Sequence, residues 1–176
     1  MLHPSLAPSQ SPIHGTGLFA REPIEAGEVV WRGPHQGLMS LAQLMANMDD
    51  DGLHSQVDID LFCPCSPLEW CMNHSCAPNT VMSDRALWST RPIVTGEEIC
   101  YDYGVTEVSL LWWFECDCGA EHCRRIVSNQ DFLLPLLRRT STSYASELAL
   151  KASSGEKLRY RIRRWQRMMR LSLREK

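Results

Sequence analysis

Three cysteines within eight residues constrain this chain more than any other feature. Cys116, Cys118 and Cys123 follow a Cys-x-Cys-x4-Cys pattern among acidic residues, so the thiols cannot easily form an apolar cluster. Zinc favours four thiolate or imidazole ligands in a tetrahedron. His122 is adjacent to Cys123, which makes binding of one ion by both awkward. The spacing therefore predicts a zinc site with a fourth ligand from elsewhere, with free thiols or disulfides as the alternatives.

The other cysteines give a weaker signal. Cys63, Cys65 and Cys71 form a looser group in which Pro64 separates the first two, and no fourth ligand is evident. Small buried residues and a second metal site are both compatible with this pattern. The first residues lack the basic region and apolar core of a signal peptide, so thiols and metal ligands are favoured over disulfides. We expect an intracellular, soluble protein of the cytoplasm or nucleus.

Charge is unevenly distributed along the 176 residues. Residues 151–176 hold ten of the 18 Lys and Arg residues but two of the 21 Asp and Glu residues, so the remainder is acidic. An acidic body suits a basic protein or peptide as partner, and a basic tail suits nucleic acid or an acidic partner. A tail that folds back onto the acidic body is the alternative. No run of about 18 apolar residues is present, which predicts no membrane span.

Short strands separated by turn residues dominate the first two thirds of the chain and indicate a mostly β fold. A first strand pair is expected within residues 13–31, and further strands at 57–61, 80–89 and 98–103. Helical spacing at 40–48 predicts a helix capped by Ser40, with Leu41, Leu44, Met45 and Met48 on its buried side. The chain divides into a flexible N-terminus (1–12), a main domain (13–110), the cysteine-rich segment (111–128) and a basic helical tail (129–176).

Four separated motifs together resemble the SET-domain family of protein-lysine methyltransferases. They are HGTGLFA at 14–20, NHSCAPN at 73–79, GEEICYDYG at 96–104 and the cysteine pattern at 116–123. The resemblance implies a fold of small curled β-sheets with a C-terminal pseudoknot, which brings residues 73–79 beside 101–104. It also likens the cysteine-rich segment to a post-SET zinc module. In that module the cysteine of NHSC completes the site, so Cys76 becomes the expected fourth ligand.

The resemblance also implies the roles of individual residues. Tyr103, the second tyrosine of YDYG, would be the central catalytic residue, and Tyr101 would occupy a position that limits the number of methyl groups. S-adenosylmethionine would be the methyl donor, held by Gly15, Gly17, Leu18, Asn73, His74 and Tyr103. Trp112, Trp113 and Phe114 would line the lysine channel or stack on adenine, although a core role is equally compatible. Asp102 alternates with the tyrosines and is expected on the opposite face of the strand, without a catalytic role.

The function implied is transfer of one or two methyl groups to a lysine amine of a basic protein, histone-like or ribosomal. Two alternatives stay open. One is a catalytically silent SET-like module that binds a peptide. The other is a zinc-containing nucleic-acid-binding protein that uses the basic tail, because cations and aromatics alternate over 159–167.

Overall fold

The computed structural model describes residues 1–46, 53–137, 142, 143, 145–147 and 149. Within them the chain forms four small β-sheets and few short helices, in agreement with the mostly β expectation. Of the predicted helical tail (129–176), residues 151–176 lie outside the described residues, as does Met48. The elements, in chain order, are β1 (Leu6–Gln10), β2 (Thr16–Ala20), β3 (Val29–Arg32), α1 (Leu41–Ala46), β4 (His54–Asp58), β5 (Leu61–Pro64), β6 (Asn73–His74), β7 (Thr80–Ser83), β8 (Ala86–Ser89), β9 (Glu98–Tyr101), α2 (Tyr103–Thr106), β10 (Trp113–Glu115) and β11 (Ile126–Ser128). Three 3-10 helices, Glu69–Cys71, Asp131–Leu133 and Pro135–Leu137, complete the set.

Part of the N-terminal segment that was predicted to be flexible, Leu6–Gln10, forms strand β1. β1 pairs antiparallel with β2 along its whole length, from Leu6 opposite Ala20 to Gln10 opposite Thr16. Leu6 is buried in the main core. The Pro and Ser residues around Leu6 obscured this strand in the sequence. The strand extends a sheet with the order β1-β2-β9-β6, which carries most of the motifs.

Three other local expectations need correction. β2 and β3 do not pair with each other, because β3 joins a separate sheet with the order β3-β8-β7. The stretch 80–89 is a hairpin, since Asp84 and Arg85 adopt positive φ angles of 49° and 58° between β7 and β8. Similarly, residues 57–61 are split between β4 and β5.

Helix α1 confirms its capping residue and one residue of its predicted buried face. The backbone N–H of Gln43 donates to Ser40 Oγ at 3.2 Å, as an N-cap requires. Leu44 is buried, whereas Met45 is 59% exposed. The helix is too short to cover the core with more than one residue.

The core lies between the two larger sheets and is filled by residues such as Leu18, Val30, Trp31 and Ile99. Strand β6 pairs in parallel with β9, with Asn73 opposite Cys100 and His74 opposite Tyr101. Asn79 holds the same junction, because its side-chain oxygen accepts from the N–H of Cys100 at 3.0 Å. Two motifs more than 20 residues apart in sequence thus become neighbours.

Candidate functional site

Tyr103 stands where the two central motifs meet. β9 ends at Tyr101, and the side chain of Asp102 then caps α2 by accepting from the N–H of Gly104 at 2.9 Å. Tyr103 is therefore the first residue of a helix and not the last of a strand, contrary to the sequence expectation. Its backbone N–H donates to His74 Nδ1 at 3.2 Å, and the two rings lie 5.4 Å apart. Its hydroxyl donates to the carbonyl of Met72 at 2.6 Å.

A cavity of about 360 Å³ opens beside this tyrosine. Tyr101 and Tyr103 lie on its wall with ring centroids 4.6 Å apart, and burial raises the pKa of both hydroxyls. The three consecutive aromatic residues before the cysteine segment also line the cavity, as the sequence analysis allowed. The other lining residues come from β3 to β8 and from the stretch after α2: Trp31, His54, Ser55, Gln56, Phe62, Cys65, Glu69, Trp70, Met72, Met82, Leu87, Glu107 and Leu110.

Glu107 is a residue of this cavity that the sequence analysis missed. Its carboxylate accepts from Ser55 Oγ at 2.5 Å and from the N–H of Gln56 at 3.0 Å. Burial raises the pKa of Glu107 to about 7, although these two hydrogen bonds act in the opposite direction. A single Glu after a run of small residues carries no recognisable signal, so only the fold reveals it.

The glycine motif lies at the other end of the site and is tied to Asn73. The amide nitrogen of Asn73 donates to the carbonyls of His14 and Thr16 at 3.0 and 3.3 Å, and to Glu98 Oε1 at 2.8 Å. A Cβ at Gly17 would meet that carboxylate oxygen at 2.1 Å, so any side chain here would displace the carboxylate of Glu98 from Asn73.

These groups suit a cationic ligand. Carbonyl oxygens and the carboxylate of Glu98 are acceptors, and a methyl donor with an α-ammonium and a sulfonium carries positive charge. Gly15 adopts a φ of +50° with open space beside it, which leaves the backbone accessible. Leu18 is fully buried opposite Ile99, so its side chain belongs to the core and not to the ligand site. These acceptor groups therefore fit S-adenosylmethionine.

The cysteine cluster assembles as the sequence and the resemblance imply. The sulfur atoms of Cys76, Cys116, Cys118 and Cys123 all lie within 4.8 Å of one another. Cys76 Sγ and Cys116 Sγ are 3.9 Å apart. A tetrahedral zinc ion with sulfur ligands at about 2.3 Å requires sulfur separations of about 3.8 Å. The four residues fit zinc in number, type and spacing.

Backbone hydrogen bonds prepare these sulfurs for a metal. The N–H of Cys76 donates to Cys118 Sγ, and the N–H of Arg124 to Cys76 Sγ, both at 3.4 Å. Burial alone would raise the pKa of Cys118, but hydrogen bonds from the main chain of Cys76 and Ala120 outweigh it and lower the pKa to about 7. A thiolate is the form that binds zinc, so these hydrogen bonds favour metal binding at Cys118. Burial acts in the opposite direction at Cys76, where it raises the pKa to about 11.

His74 connects the cluster to Tyr103. Because its Nδ1 accepts from the backbone of Tyr103, its proton is assigned to Nε2, which lies 3.3 Å from Cys76 Sγ. Burial lowers the pKa of His74 to about 4, partly opposed by Asp102 and reinforced by Arg124. The neutral ring thus bridges a metal ligand and the start of α2, in the way that hydrogen bonds outside the ligand sphere orient metal sites.

Asp102 was expected to have no catalytic role, and the structure gives it a structural one, because it anchors the cysteine segment. It is buried and receives two hydrogen bonds from Arg124, at 2.7 and 2.6 Å. Arg124 Nε also lies 2.9 Å from Asp131 Oδ2. This buried network joins the residue between the two tyrosines to the residue after Cys123.

Two further expectations concern the remaining cysteines and membrane-spanning helices. Among the described residues, Cys63, Cys65 and Cys71 do not form a group with metal-binding geometry. No helix in the described part of the chain has the length and apolar character needed to cross a membrane.

Sequence comparison places the chain among known proteins. The SET domain profile matches residues 15–104. Histone-lysine N-methyltransferase SETD1B of Xenopus laevis is 36% identical over 137 residues, which cover 65% of this chain and 7% of the relative. Histone-lysine N-methyltransferase SETD1A of Homo sapiens is 35% identical over 136 residues, which cover 65% of this chain and 8% of the relative. The chain thus spans less than a tenth of the length of these curated relatives.

Structure comparison gives the same fold. The crystal structure of KRYPTONITE in complex with mCHH DNA, an H3(1-15) peptide and SAH superposes with a TM-score of 0.52. The sequence identity is 24%, over 71% of this chain and 30% of that one. A second structure, KRYPTONITE with mCHG DNA and SAH, has a TM-score of 0.53 at 23% identity, over 71% of this chain and 29% of that one. At this identity the likeness concerns the fold.

Proposed function

Because this chain belongs to the SET-domain family, we propose that it is a protein-lysine methyltransferase that uses S-adenosylmethionine. The observation that carries the proposal is the junction of β6 and β9, where Asn73 and His74 lie against Tyr103 beside an aromatic cavity. The relatives named above are histone-lysine N-methyltransferases, which supports the same reaction.

The cavity suits the amine substrate. A free lysine has a pKa near 10.4, and an amine must be neutral to attack a methyl group. An apolar, aromatic site lowers that pKa by desolvating the ammonium. The walls around Tyr103 supply such a site, with Trp112 and Phe114 in stacked orientation 5.8 Å apart. Alignment of the reacting atoms in this narrow space provides the other large contribution.

Tyr103 is the proposed catalytic residue. Its hydroxyl is held by the carbonyl of Met72, which fixes the ring, and its raised pKa keeps it protonated. A protonated phenol can orient the amine lone pair and polarise the reacting centre, but it cannot act as a base at neutral pH. Tyr101, on the same wall, is the proposed limit on the number of methyl groups, because a hydroxyl there takes the space of a further methyl. We therefore propose mono- or dimethylation.

The donor site is proposed at the junction of the glycine loop with β6. S-adenosylmethionine, when bound, supplies a sulfonium methyl group. Asn73 would orient its methionine portion, and Glu98 with the carbonyls of His14 and Thr16 would hold its positive charge. The main-chain groups of Gly15, Gly17, Leu18 and His74, with Tyr103, complete the proposed set.

Zinc is proposed at the four cysteines, where it would fold the segment that carries the aromatic wall. β10 contains Trp113 and Phe114 and leads directly into Cys116. Holding this strand in place closes one side of the cavity. The metal thus has a structural role, since four protein ligands leave no open position for a reactant.

The proposed substrate is a basic protein segment, histone-like or ribosomal, which agrees with the acidic charge of residues 1–150. The relatives act on histones, and a nuclear or cytoplasmic location is proposed on the same ground. Binding of nucleic acid or an acidic partner by the basic segment 151–176 stays a prediction.

Methyl transfer is testable directly. The protein is incubated with labelled S-adenosylmethionine and either core histones or a whole-cell extract, and labelled lysines are mapped by mass spectrometry. We expect mono- or dimethyllysine on a basic protein. Absence of label from every protein in both samples would contradict the function, and methyl groups on residues other than lysine would contradict the substrate class.

Two amide truncations test the donor site in the same assay. Asn73→Ala should weaken S-adenosylmethionine binding, measured by calorimetry, because it removes the hydrogen bonds that tie the glycine loop. Gln10→Ala, at the exposed end of β1, is the matched control and should leave binding unchanged. Equal affinities of the two variants would remove Asn73 from the donor site.

A further inference from the structure

We propose that Glu107 receives the ammonium of the target lysine inside the cavity and accepts its proton before methyl transfer. This inference rests on the function proposed above and assigns a residue that none of the four motifs contains. It differs from proton loss to bulk water, because an acceptor would then be built into the cavity wall.

The carboxylate is fixed by the fold and faces the aromatic site. Ser55 and Gln56 of β4 each donate one hydrogen bond to it, to different oxygens. The backbone is fixed as well, since the N–H of Glu107 donates to the carbonyl of Tyr103 at 2.9 Å and its own carbonyl accepts from Trp112 Nε1 at 2.6 Å. Glu107 is thus tied to the catalytic tyrosine through one turn of chain.

No counterion accompanies this acid. Among the described residues that line the cavity there is no Lys or Arg, and none of the ion pairs between described residues includes Glu107. A carboxylate in an apolar site without a cation is unfavourable, and a cationic side chain that enters the site relieves this penalty. A lysine ammonium has the charge, the length and the slender stem for such a cavity.

Protonation agrees with the geometry. Burial holds the pKa of Glu107 at about 7, so the group is poised to exchange a proton near neutral pH. Other titratable groups line the same cavity from β4, the segment after β5, the 3-10 helix Glu69–Cys71, β9 and α2: His54, Cys65, Glu69, Tyr101 and Tyr103. Cys63 of β5 is fully buried and interacts electrostatically with Glu107. Burial raises the pKa of both tyrosines, and neither is an acceptor at neutral pH.

The step balances without a further reactant. The lysine nitrogen loses one proton to a carboxylate oxygen of Glu107, which becomes a neutral acid, and the nitrogen regains its lone pair. The amine then forms the nitrogen–carbon bond while the carbon–sulfur bond of the sulfonium donor breaks, with its electron pair left on sulfur. The product is a methylammonium, and Glu107 returns its proton to solvent as the product leaves.

The pH dependence of kcat/KM tests the proposal, with a pool of peptides that each contain one central lysine. The wild-type protein should show kcat/KM rising up to about pH 7 and constant from there to about pH 9, because the carboxylate and the ammonium then react as a pair. Glu107→Gln should lose at least tenfold in kcat/KM at pH 7.5. Its profile should have no break near 7 and should continue to rise tenfold per pH unit, as required when only free neutral lysine reacts.

Two further variants separate Glu107 from its neighbours. Ser55→Ala removes a hydrogen bond to the ionised carboxylate, so the break should move upward by about 1 unit. His54→Gln removes the histidine that lines the same cavity and should leave the break in place. A break that persists in Glu107→Gln, or that disappears in His54→Gln, would overturn the proposal. If Glu107→Gln does not fold, the Ser55→Ala shift remains the deciding measurement.

Binding without the methyl donor distinguishes failure of this inference from failure of the proposed function. The wild-type protein should bind the lysine peptides at least tenfold more tightly at pH 8 than the same pool with norleucine, and Glu107→Gln should reduce this preference. An active enzyme without such a preference would contradict the inference alone. A preference that depends on Glu107 in a protein that transfers no methyl group would contradict the enzymatic function instead.

Discussion

The residues on the two sides of Tyr103 differ in polarity and in how their charges are paired. On one side His74, Asp102 and Arg124 form a buried polar network that reaches the four cysteines, and its charges are paired. On the other side lies a cavity of aromatic rings with Glu107, an acid that has no counterion among the described residues. The first side holds the backbone of the tyrosine, and the second is where its ring and hydroxyl are exposed to a reactant. Paired charges thus position the tyrosine, whereas the reaction site contains a hydrogen-bonded carboxylate that has no counterion in the described part of the chain.

Removal of the metal should have the largest effect on the polar side. Structural zinc sites contribute about 10 kcal/mol or more of apparent folding free energy. Cys118→Ser should release zinc, measured by elemental analysis, and should unfold residues 113–128, measured by hydrogen exchange. Ser128→Ala, at the end of β11, is the control that changes the same segment without touching a sulfur. A parent protein that contains no zinc after purification without chelators would contradict a zinc site on the polar side of Tyr103.

Loss of the buried ion pair should follow in size. Arg124→Met leaves Asp102 buried without its partner, and breaking such a pair lowers the free energy of unfolding by about 3–5 kcal/mol. Arg91→Met removes the Arg91–Glu97 pair, in which the arginine is 54% exposed. That change should lower stability by no more than about 1 kcal/mol. Denaturant unfolding measures both, and equal losses would show that the network around Asp102 is not a stabilising anchor.

The cavity side should respond to pH through Glu107. Its pKa in the folded protein is raised to about 7 from 4.5, so the folded state binds more protons than the unfolded state between these values. The contribution of this group to stability is therefore full below about pH 4.5 and is lost as the pH rises to 7, by up to about 3 kcal/mol.

The variant Glu107→Gln isolates this contribution. The stability gained by the substitution should be larger at pH 8 than at pH 5, because the neutral amide escapes the penalty of burying a charge. His74 acts with the opposite sign in the same range, since burial lowers its pKa to about 4, but it is present in both proteins and cancels. A difference between variant and parent that is independent of pH would mean that Glu107 titrates normally.

The smallest effect is expected at Tyr101. Tyr101→Phe removes a hydroxyl from the cavity wall without changing the shape of the ring, so turnover should change little while the products shift toward higher methylation. Trp88→Phe, an aromatic change outside the cavity on β8, should leave the products unchanged. Intact-mass measurement of the peptide products decides, and an unaltered distribution would remove Tyr101 from control of the methyl number.

The sequence predicted the parts of the site that are encoded as motifs. The thiols at 116, 118 and 123 required a fourth ligand by coordination chemistry, and resemblance to a family supplied Cys76. The meeting of residues 73–79 with 101–104 came from the same resemblance, because a parallel pairing across more than 20 residues leaves no local signal. The structure brings both sets together.

The parts that were missed depend on packing. Alternation placed Asp102 on the far face of a strand, but the chain leaves the strand at Tyr101, and the aspartate becomes a helix cap and an ion-pair partner. Glu107 looks like an ordinary surface acid until β4 is folded over it. The first twelve residues looked flexible because strand pairing depends on the partner β2 as well as on composition.

The kinetics of Tyr103→Phe test whether the hydroxyl of Tyr103 takes part in methyl transfer. If this hydroxyl faces the reacting amine, the variant should lose about 100-fold or more in turnover, while its affinity for S-adenosylmethionine stays within about threefold of the parent. Single-turnover methyl transfer and calorimetry on the same preparations give the two values. Full turnover in the variant, or a loss explained by donor binding alone, would contradict the account.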